Sequence, residues 1–383
     1  MSGLRIHGKW LQSLEAKAVF DALDADGAQV LYVGGCVRNS LLNEEVGDID
    51  IATDRLPEEV VRLAEAAGLE TVPSGLQHGT VTVLSLGRAF EVTTFRRDVE
   101  TDGRWAKVVF SKDIVEDARR RDFTMNAVYA TRNGCIKDPL GDGVNDIRAR
   151  HVRFVGDPAD RIREDRLRSL RFFRFLALYG KLDVQIDTIT LTAISENIDG
   201  IEMLSRERIG AEVMKLLAAP DPSDALGVMK EVGIMARIMP EADDRYMKPL
   251  IKVESQSDSI VRLAALGDGI GKTLRIRRSE FERAERLREM AKGNRSAAEL
   301  GYRFGSVEAV QALELRAAFQ DCGERAIDRT AAIFGSRQVF PIGAADLMPA
   351  LTGRRLGQRL KVLERKWILS GFTLGRSELL SGR

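Results

Sequence analysis

Along the first 150 residues the apolar positions alternate or fall in short blocks, whereas beyond Asp157 they recur every three or four residues. The first pattern predicts a mixed α/β segment. Residues 11–23 read as a helix, and Gln29–Val33 as a buried strand that runs into Gly34-Gly35. Ile49–Ala52 reads as a second strand, and Pro57 opens a helix to about Ala67, since proline suits a first helical turn. Thr80–Leu86 and Phe90–Phe95, separated by a Leu-Gly-Arg turn, form a hairpin. A strand near Lys107–Phe110, a helix across Ala127 and a short strand at Cys135–Lys137 complete this part.

The second pattern predicts helices over 158–180, 186–197, 206–218, 223–236, 258–266, 278–291, 296–303, 306–320, 323–334, 343–349 and 353–370. Ala219-Pro220-Asp221-Pro222 and Met239-Pro240 mark helix ends. No internal repeat or low-complexity tract interrupts the series. The fold class is therefore α+β, a mixed-sheet head followed by an all-α remainder.

A chain of 383 residues exceeds one ordinary core, so two or more domains are expected. With 44% hydrophobic and 30% charged residues it reads as globular, and no apolar run approaches the roughly 20 residues of a membrane span. The opening MSGLRIHGKW lacks a hydrophobic signal core, which favours the cytoplasm and no membrane partner. Cys36, Cys135 and Cys322 have no CxxC spacing, and His7, His78 and His151 are the whole histidine supply. A structural zinc is not expected, nor is histidine-based metal chemistry in the C-terminal half.

Net charge of +1 conceals an asymmetry: residues 1–250 hold 34 basic and 41 acidic residues, residues 251–383 hold 24 and 16. Such a split suits an anionic partner, and mixed-sign helical surfaces produce it too.

Three clusters carry candidate chemistry. In LYVGGCVRNSLLNEEVGDIDIAT a strand delivers Gly34-Gly35 to a helix start, where backbone N–H groups can approach an anion, and that helix carries Arg38. The spacing is neither a dinucleotide fingerprint nor a P-loop. Asp48 and Asp50, two apart on a strand, share a face at about 6–7 Å. Their charges repel by roughly 2–3 kcal/mol at an effective dielectric of 20, a repulsion that a divalent cation between them reverses. A solvent-facing acidic strand end gives the same pattern.

In AFEVTTFRRD, Glu91 interrupts an apolar, β-branched strand. A buried carboxylate needs a cation, so Glu91 completes a three-carboxylate site with Asp48 and Asp50, or else pairs with an arginine such as Arg96. The third cluster spans residues 119–174, with 14 basic residues against 8 acidic. Its later helix places Arg161, Asp165 and Arg168 on one stripe, flanked by Glu164 and seated by Phe172, Phe173 and Phe175. Such a stripe is a solvated run of salt bridges or a base reader. Aspartate offers acceptors and arginine donors, and that pairing matches the edges of cytosine and adenine while opposing uracil and guanine.

With GGCVRN and GDIDIAT, FEVTTFR, RRRDFTMNA, DPLGDGVNDI, REDRLRSLRFFRF and SRERIGAEVMKLL in order over residues 31–218, the chain resembles the tRNA nucleotidyltransferase and poly(A) polymerase family, in its bacterial class II branch. The resemblance implies a nucleotidyltransferase head at 1–150, a nucleotide-selecting neck at 151–220, and a tRNA-binding body and tail at 221–383. It implies template-independent addition of C, C and A to the tRNA 3′ acceptor end from CTP and ATP, with two Mg²⁺ ions on Asp48, Asp50 and Glu91. Gly34, Gly35, Arg38, Arg121, Asp122, Asn126, Asp165, Arg168 and Arg171 are the implied nucleotide-binding set, with Asp165 and Arg168 reading the base. Glu207 and Arg208 brace that element from a helix capped by Ser205 and packed through Ile209, Val213 and Leu216. Asn39 stands where the family has aspartate, and Trp105 where its switching loop has histidine; Asp102 and Arg104 remain in that loop. Poly(A) synthesis, CC-only or A-only addition, and a non-catalytic RNA-binding module are the alternatives. A tail phosphohydrolase is excluded by the missing histidines.

Overall fold

The computed structural model describes residues 4–24, 26–102, 105–181, 186–321, 323 and 327–381. Its strands are β1 (Val30–Val33), β2 (Asp50–Thr53), β3 (Glu70–Gly75), β4 (Thr80–Ser85), β5 (Arg88–Thr94), β6 (Arg96–Asp102), β7 (Trp105–Phe110), β8 (Tyr129–Ala130) and β9 (Ile136–Lys137). Seven of them form one sheet in the order β3-β4-β5-β2-β1-β8-β9, and β6 pairs with β7 apart from it. All neighbours in the large sheet are antiparallel except β2 and β5.

The helices of the first half are α1 (Leu14–Leu23), α2 (Gly35–Leu42), α3 (Pro57–Ala66), α4 (Ile114–Arg119), α5 (Gly143–Ala149), α6 (Pro158–Glu164), α7 (Leu167–Tyr179), α8 (Thr188–Glu196), α9 (Arg206–Leu217), α10 (Ser223–Glu231) and α11 (Ile234–Ile238). Those of the second half are α12 (Met247–Val253), α13 (Ser259–Leu266), α14 (Ile270–Thr273), α15 (Arg278–Lys292), α16 (Ala297–Gln320), α17 (Arg329–Ser336), α18 (Gly353–Leu369) and α19 (Arg376–Ser381). The chain divides into two compact units, 1–216 with 224–238, and 217–223 with 239–383.

In the first unit every residue of β1 is buried, as expected for a central strand covered on both faces. Tyr32 meets Phe20 of α1, with ring centroids 4.5 Å apart. Leu31 and Val33 join Ala52, Phe95, Ala118, Ala127, Tyr129 and Val155 in a core on the other face. Phe123 packs against Phe154 and Phe175, at 4.9 and 4.7 Å, so α7 is seated on the segment that follows α4.

Three expectations need correction. The helix across Ala127 is only a 3₁₀ turn, Thr124–Asn126, because residues 127–130 are fully buried and pass into β8. The helix over 158–180 breaks at Asp165, whose extended backbone (φ −146°, ψ 109°) ends α6, and α7 starts two residues later. The strand at 49–52 begins at Asp50, so Asp48 lies in the loop before it. Strands β3, β6 and β8 and helices α4, α5, α12, α14 and α19 had no counterpart in the sequence reading.

In the second unit the two helices expected over 296–320 are present as the two arms of α16, parted at Gly305, whose φ of 80° only glycine adopts readily. Gly301 of α16 and Gly335 of α17 let those helices cross in backbone contact. A Cβ on Gly301 would lie 1.9 Å from the Ala332 carbonyl oxygen, and one on Gly335 equally close to that of Ala298. Arg262 is fully buried; it donates to the carbonyls of Leu217, Ala219 and Pro220 and pairs with Glu254.

Candidate active site

The sheet register sets the acidic floor. Asp50 opens β2 directly opposite Val33 of β1 and beside Glu91 of β5, and Glu91 faces Thr82 across β4. Ile49 and Ile51 are buried to 1% and 0%, which seats the strand and turns Asp50 to the opposite face. Glu91 is likewise flanked by fully buried Phe90 and Val92. Contrary to the burial argument from sequence, Glu91 itself is exposed. It stands on the open face of its strand, and its partner is the charge field of the cavity.

That cavity, about 890 Å³, is lined by Gly34, Gly35, Arg38, Asp48, Asp50, Glu91, Arg121, Asp122, Asn126 and Arg171. Residues separated by up to 181 positions, Gly34 to Lys215, meet here. Burial, then the neighbouring Glu91 and Asp48 charges, push the Asp50 carboxyl up to about 6, against the pull of Arg121 and Arg38. The floor has a surplus of negative charge. Among the described residues the carboxylates do not close into a ligand-spaced group of three.

The walls are cationic and tightly held. Gly34, at φ 71°, turns the chain from β1 into α2, and its N–H donates to the Val128 carbonyl at 3.3 Å. Arg38 on α2 is buried to 6%. It donates to the side-chain oxygens of Asn126 and Asn39 and to the Tyr179 hydroxyl at 2.6 Å, with its guanidinium 3.9 Å from the Tyr179 ring centroid. Asn126 donates in turn to Asp122 at 2.9 Å, and Arg171 closes on Asp122 through two N–H groups. Burial alone would raise the Asp122 carboxyl; Arg171 and the Asn126 and Phe123 donors outweigh it and hold it at about 2.

Arg121 is gripped by Asp117 and the Tyr129 hydroxyl, 2.9 and 3.1 Å away. Despite burial, Tyr129 and Asp117 keep its guanidinium firmly charged. These contacts fix α7, the loop after α4, and α2 around one opening.

Asp165 and Arg168 do not line this cavity. Asp165 sits at the break between α6 and α7 and accepts from Arg208 of α9 at 3.0 and 3.3 Å. Arg168 pairs with Glu164, which also receives Arg161. Ser205 caps α9, accepting from the Arg208 N–H at 3.4 Å, and Ile209, Val213 and Leu216 are buried. Arg104 lies outside the described residues, as do the side chains of Asp102 and Trp105.

Sequence reasoning missed Arg174, Phe175 and Lys215, which also line the cavity, and Tyr179 behind Arg38. Arg171, Arg174 and Phe175 share a helical stripe, a signal that was available. Lys215, from a helix read as structural, had none.

Residues 30–153 match the family of the poly(A) polymerase head domain, and residues 183–246 a family described as the probable RNA and SrmB-binding site of polymerase A. A CCA-adding enzyme of Geobacillus sp. (strain WCH70) is 42% identical over 222 residues, 57% of this chain and 53% of that protein. Another, from Anoxybacillus flavithermus, is 39% identical over 64% of this chain and 60% of its own length. The alignments thus span little more than half the length of these curated relatives. Among solved structures, the Bacillus stearothermophilus CCA-adding enzyme in complex with CTP superposes with a TM-score of 0.79 at 28% identity, over 95% of this chain and 94% of that one. The Thermotoga maritima CCA-adding enzyme complexed with tRNA shares the fold, with a TM-score of 0.68 at 19% identity. No helix among the described residues is long and apolar enough to cross a membrane. The double-glycine turn, the paired carboxylates and the arginine-bearing α7 are joined in one cavity, and this chain carries the head domain of the poly(A) polymerase family in residues 30–153 and that polymerase's RNA-binding segment in residues 183–246.

Proposed function

We propose that this protein adds CMP, CMP and AMP to the 3′ end of tRNA, taking CTP and ATP without a nucleic-acid template, in the cytoplasm. One observation carries the reading: a single cavity sets an acidic floor, Asp48, Asp50 and Glu91, against cationic walls from Arg38, Arg121 and Arg171. A nucleoside triphosphate needs both, cations for its phosphates and carboxylates for the metal that accompanies it.

Asp48, Asp50 and Glu91 would hold Mg²⁺. The donor set fits, being all hard oxygen, and a cation would relieve the cost of the Asp50 charge, which burial first and then Glu91 impose. Held there, two such ions would supply activation of the 3′-hydroxyl and neutralisation of the departing pyrophosphate. The protein's own part is positioning. Gly34 and Gly35 bring backbone N–H groups near the phosphates, and Arg38, backed by Tyr179 and Asn126, presents a fixed charge. Asp122 and Asn126 hold that arginine and Arg171 in one network.

Asp165 and Arg168 select C and A over U and G by their acceptor and donor edges. To do so they exchange Arg208 and Glu164 for the base, so nucleotide binding opens two existing ion pairs. Residues 1–150 act as the catalytic head, 151–220 as the selecting neck, and 221–383 as the body and tail that grip tRNA by charge and backbone shape.

Labelled CTP and ATP, offered separately and together to tRNA lacking its 3′ end, test the proposal. C, C and A in that order supports it. Repeated A without C means poly(A) synthesis, and arrest after C or a lone A means a restricted enzyme. Near-normal incorporation by Asp50→Asn would exclude the site.

A further inference from the structure

A second concavity of about 780 Å³ lies at the β9 edge of the sheet and shares no lining residue with the cavity above. Its described walls carry Arg5, His7, Lys9, Lys17, Arg132 and Asn133, with no carboxylate among the described residues. Among the described residues Arg5, Lys9 and Lys17 have no ion-pair partner, while Arg132 reaches Asp21. The stretch 1–250, in which all of them lie, carries 34 basic against 41 acidic residues. Three uncompensated cations converging beside Arg132 are not explained by the general charge of the region.

The backbone beneath them is built, not trailing. The Ile6 N–H donates to Gly134 and the Ile136 N–H to Leu4, both at 2.9 Å, so residues 4–6 extend the sheet beyond β9. Gly134 sits at φ 76°, where an added Cβ would lie 2.3 Å from the Ile6 carbonyl oxygen. Trp10 is anchored by Ser40 at 3.2 Å and by an edge contact with Tyr32. The cations therefore project from a fixed frame formed by residues 5–12, the start of α1 and the β8–β9 turn.

From this geometry we propose a second ligand site, one that takes two or three adjacent phosphate groups. Guanidinium pairs and lysines match phosphate oxygens, and the Asn133 amide adds a neutral donor. Among the described lining residues the one ring is the His7 imidazole, and no Phe, Tyr or Trp is there to stack successive bases, so recognition rests on the phosphates and is independent of sequence. Such phosphates come from an RNA backbone, a source that rests on the function proposed above, or from a free polyphosphate, a source that does not.

The test uses the full chain and the Lys9→Gln/Lys17→Gln variant, with folding checked by its melting temperature. Titration with tripolyphosphate is expected to show two sites in the wild type, one at each cavity, and one in the variant. Binding of a 12-nucleotide single-stranded RNA of mixed sequence, followed from 50 to 200 mM salt, reads the source. If RNA uses the site, loss of two phosphate contacts flattens the salt dependence by about 1.4 in log–log slope, so the wild type loses about 7-fold more affinity than the variant over that range. An unchanged RNA response with a lost tripolyphosphate site supports the pocket and assigns it to free polyphosphate. Two sites retained in the variant, or only one in the wild type, would overturn the proposal. None of these readings depends on nucleotide incorporation, so they stand apart from the catalytic assignment.

Discussion

Replacing Asp50 with asparagine is expected to stabilise the metal-free protein while abolishing transfer. In the folded chain this carboxyl is pushed from 3.8 up to about 6, first by burial and then by Glu91. A raised carboxyl binds its proton more tightly when folded, so the ionised form opposes folding. The penalty is absent below about pH 4, grows between there and pH 6, and is complete above. Two pKa units correspond to about 3 kcal/mol. Asparagine resembles the protonated acid and carries no such penalty. The variant should therefore exceed the wild type by about 1–2 kcal/mol at pH 5 and about 3 kcal/mol at pH 8, in chelator. Because the chain has two compact units, native-state hydrogen exchange at the amides of β1 and β2 is the suitable assay, reporting on their unit alone. Adding Mg²⁺ should narrow the gap by stabilising the wild type selectively. A variant no more stable than the wild type at pH 8, or a gap as wide at pH 5, would refute the reasoning.

Asp122→Asn should do the opposite. Its carboxyl is held at about 2, so its contribution is present above about pH 4 and is lost as pH falls through 2; the variant should lose about 2 kcal/mol at pH 7 and progressively less under acid, measured by the same exchange. Arg262→Met leaves Glu254 and three carbonyls without their donor inside the second unit, and about 3–5 kcal/mol of stability should go, read as a lower urea midpoint; adding Glu254→Leu should restore part of it. Gly335→Ala drives a methyl into the Ala298 carbonyl and should cost at least 1–3 kcal/mol in thermal unfolding, whereas Gly357→Ala on α18, with open space around it, should be neutral or slightly stabilising.

Much of the site was legible because its signals are local. The Gly34-Gly35 turn, the Ile-Asp-Ile alternation around Asp50 and the three-to-four-residue repeat of α7 each fix a face or a turn within a few residues. Glu91 was found as an acid in an apolar strand, but the reason given was wrong, since the open face of β5 leaves it in the cavity. The break at Asp165 escaped because apolar spacing continues through it: Ile162, Leu167 and Leu170 are all buried on either side. What ends the helix there is an extended backbone whose aspartate is held by Arg208, a residue 43 positions away.

The sequence by itself determined the α+β class, the longer helices and the strands β1, β2, β4 and β5, the faces those elements bury, and the residue types that meet at the acidic floor, because periodicity and turn chemistry act over a few residues. Tertiary structure alone decided that Asp50 lies in register with Glu91, that Tyr179 backs Arg38, and that Lys215 reaches the cavity. Strand register and helix docking are settled by which surfaces exclude water together, and the residues that make that choice lie tens of positions apart along the chain.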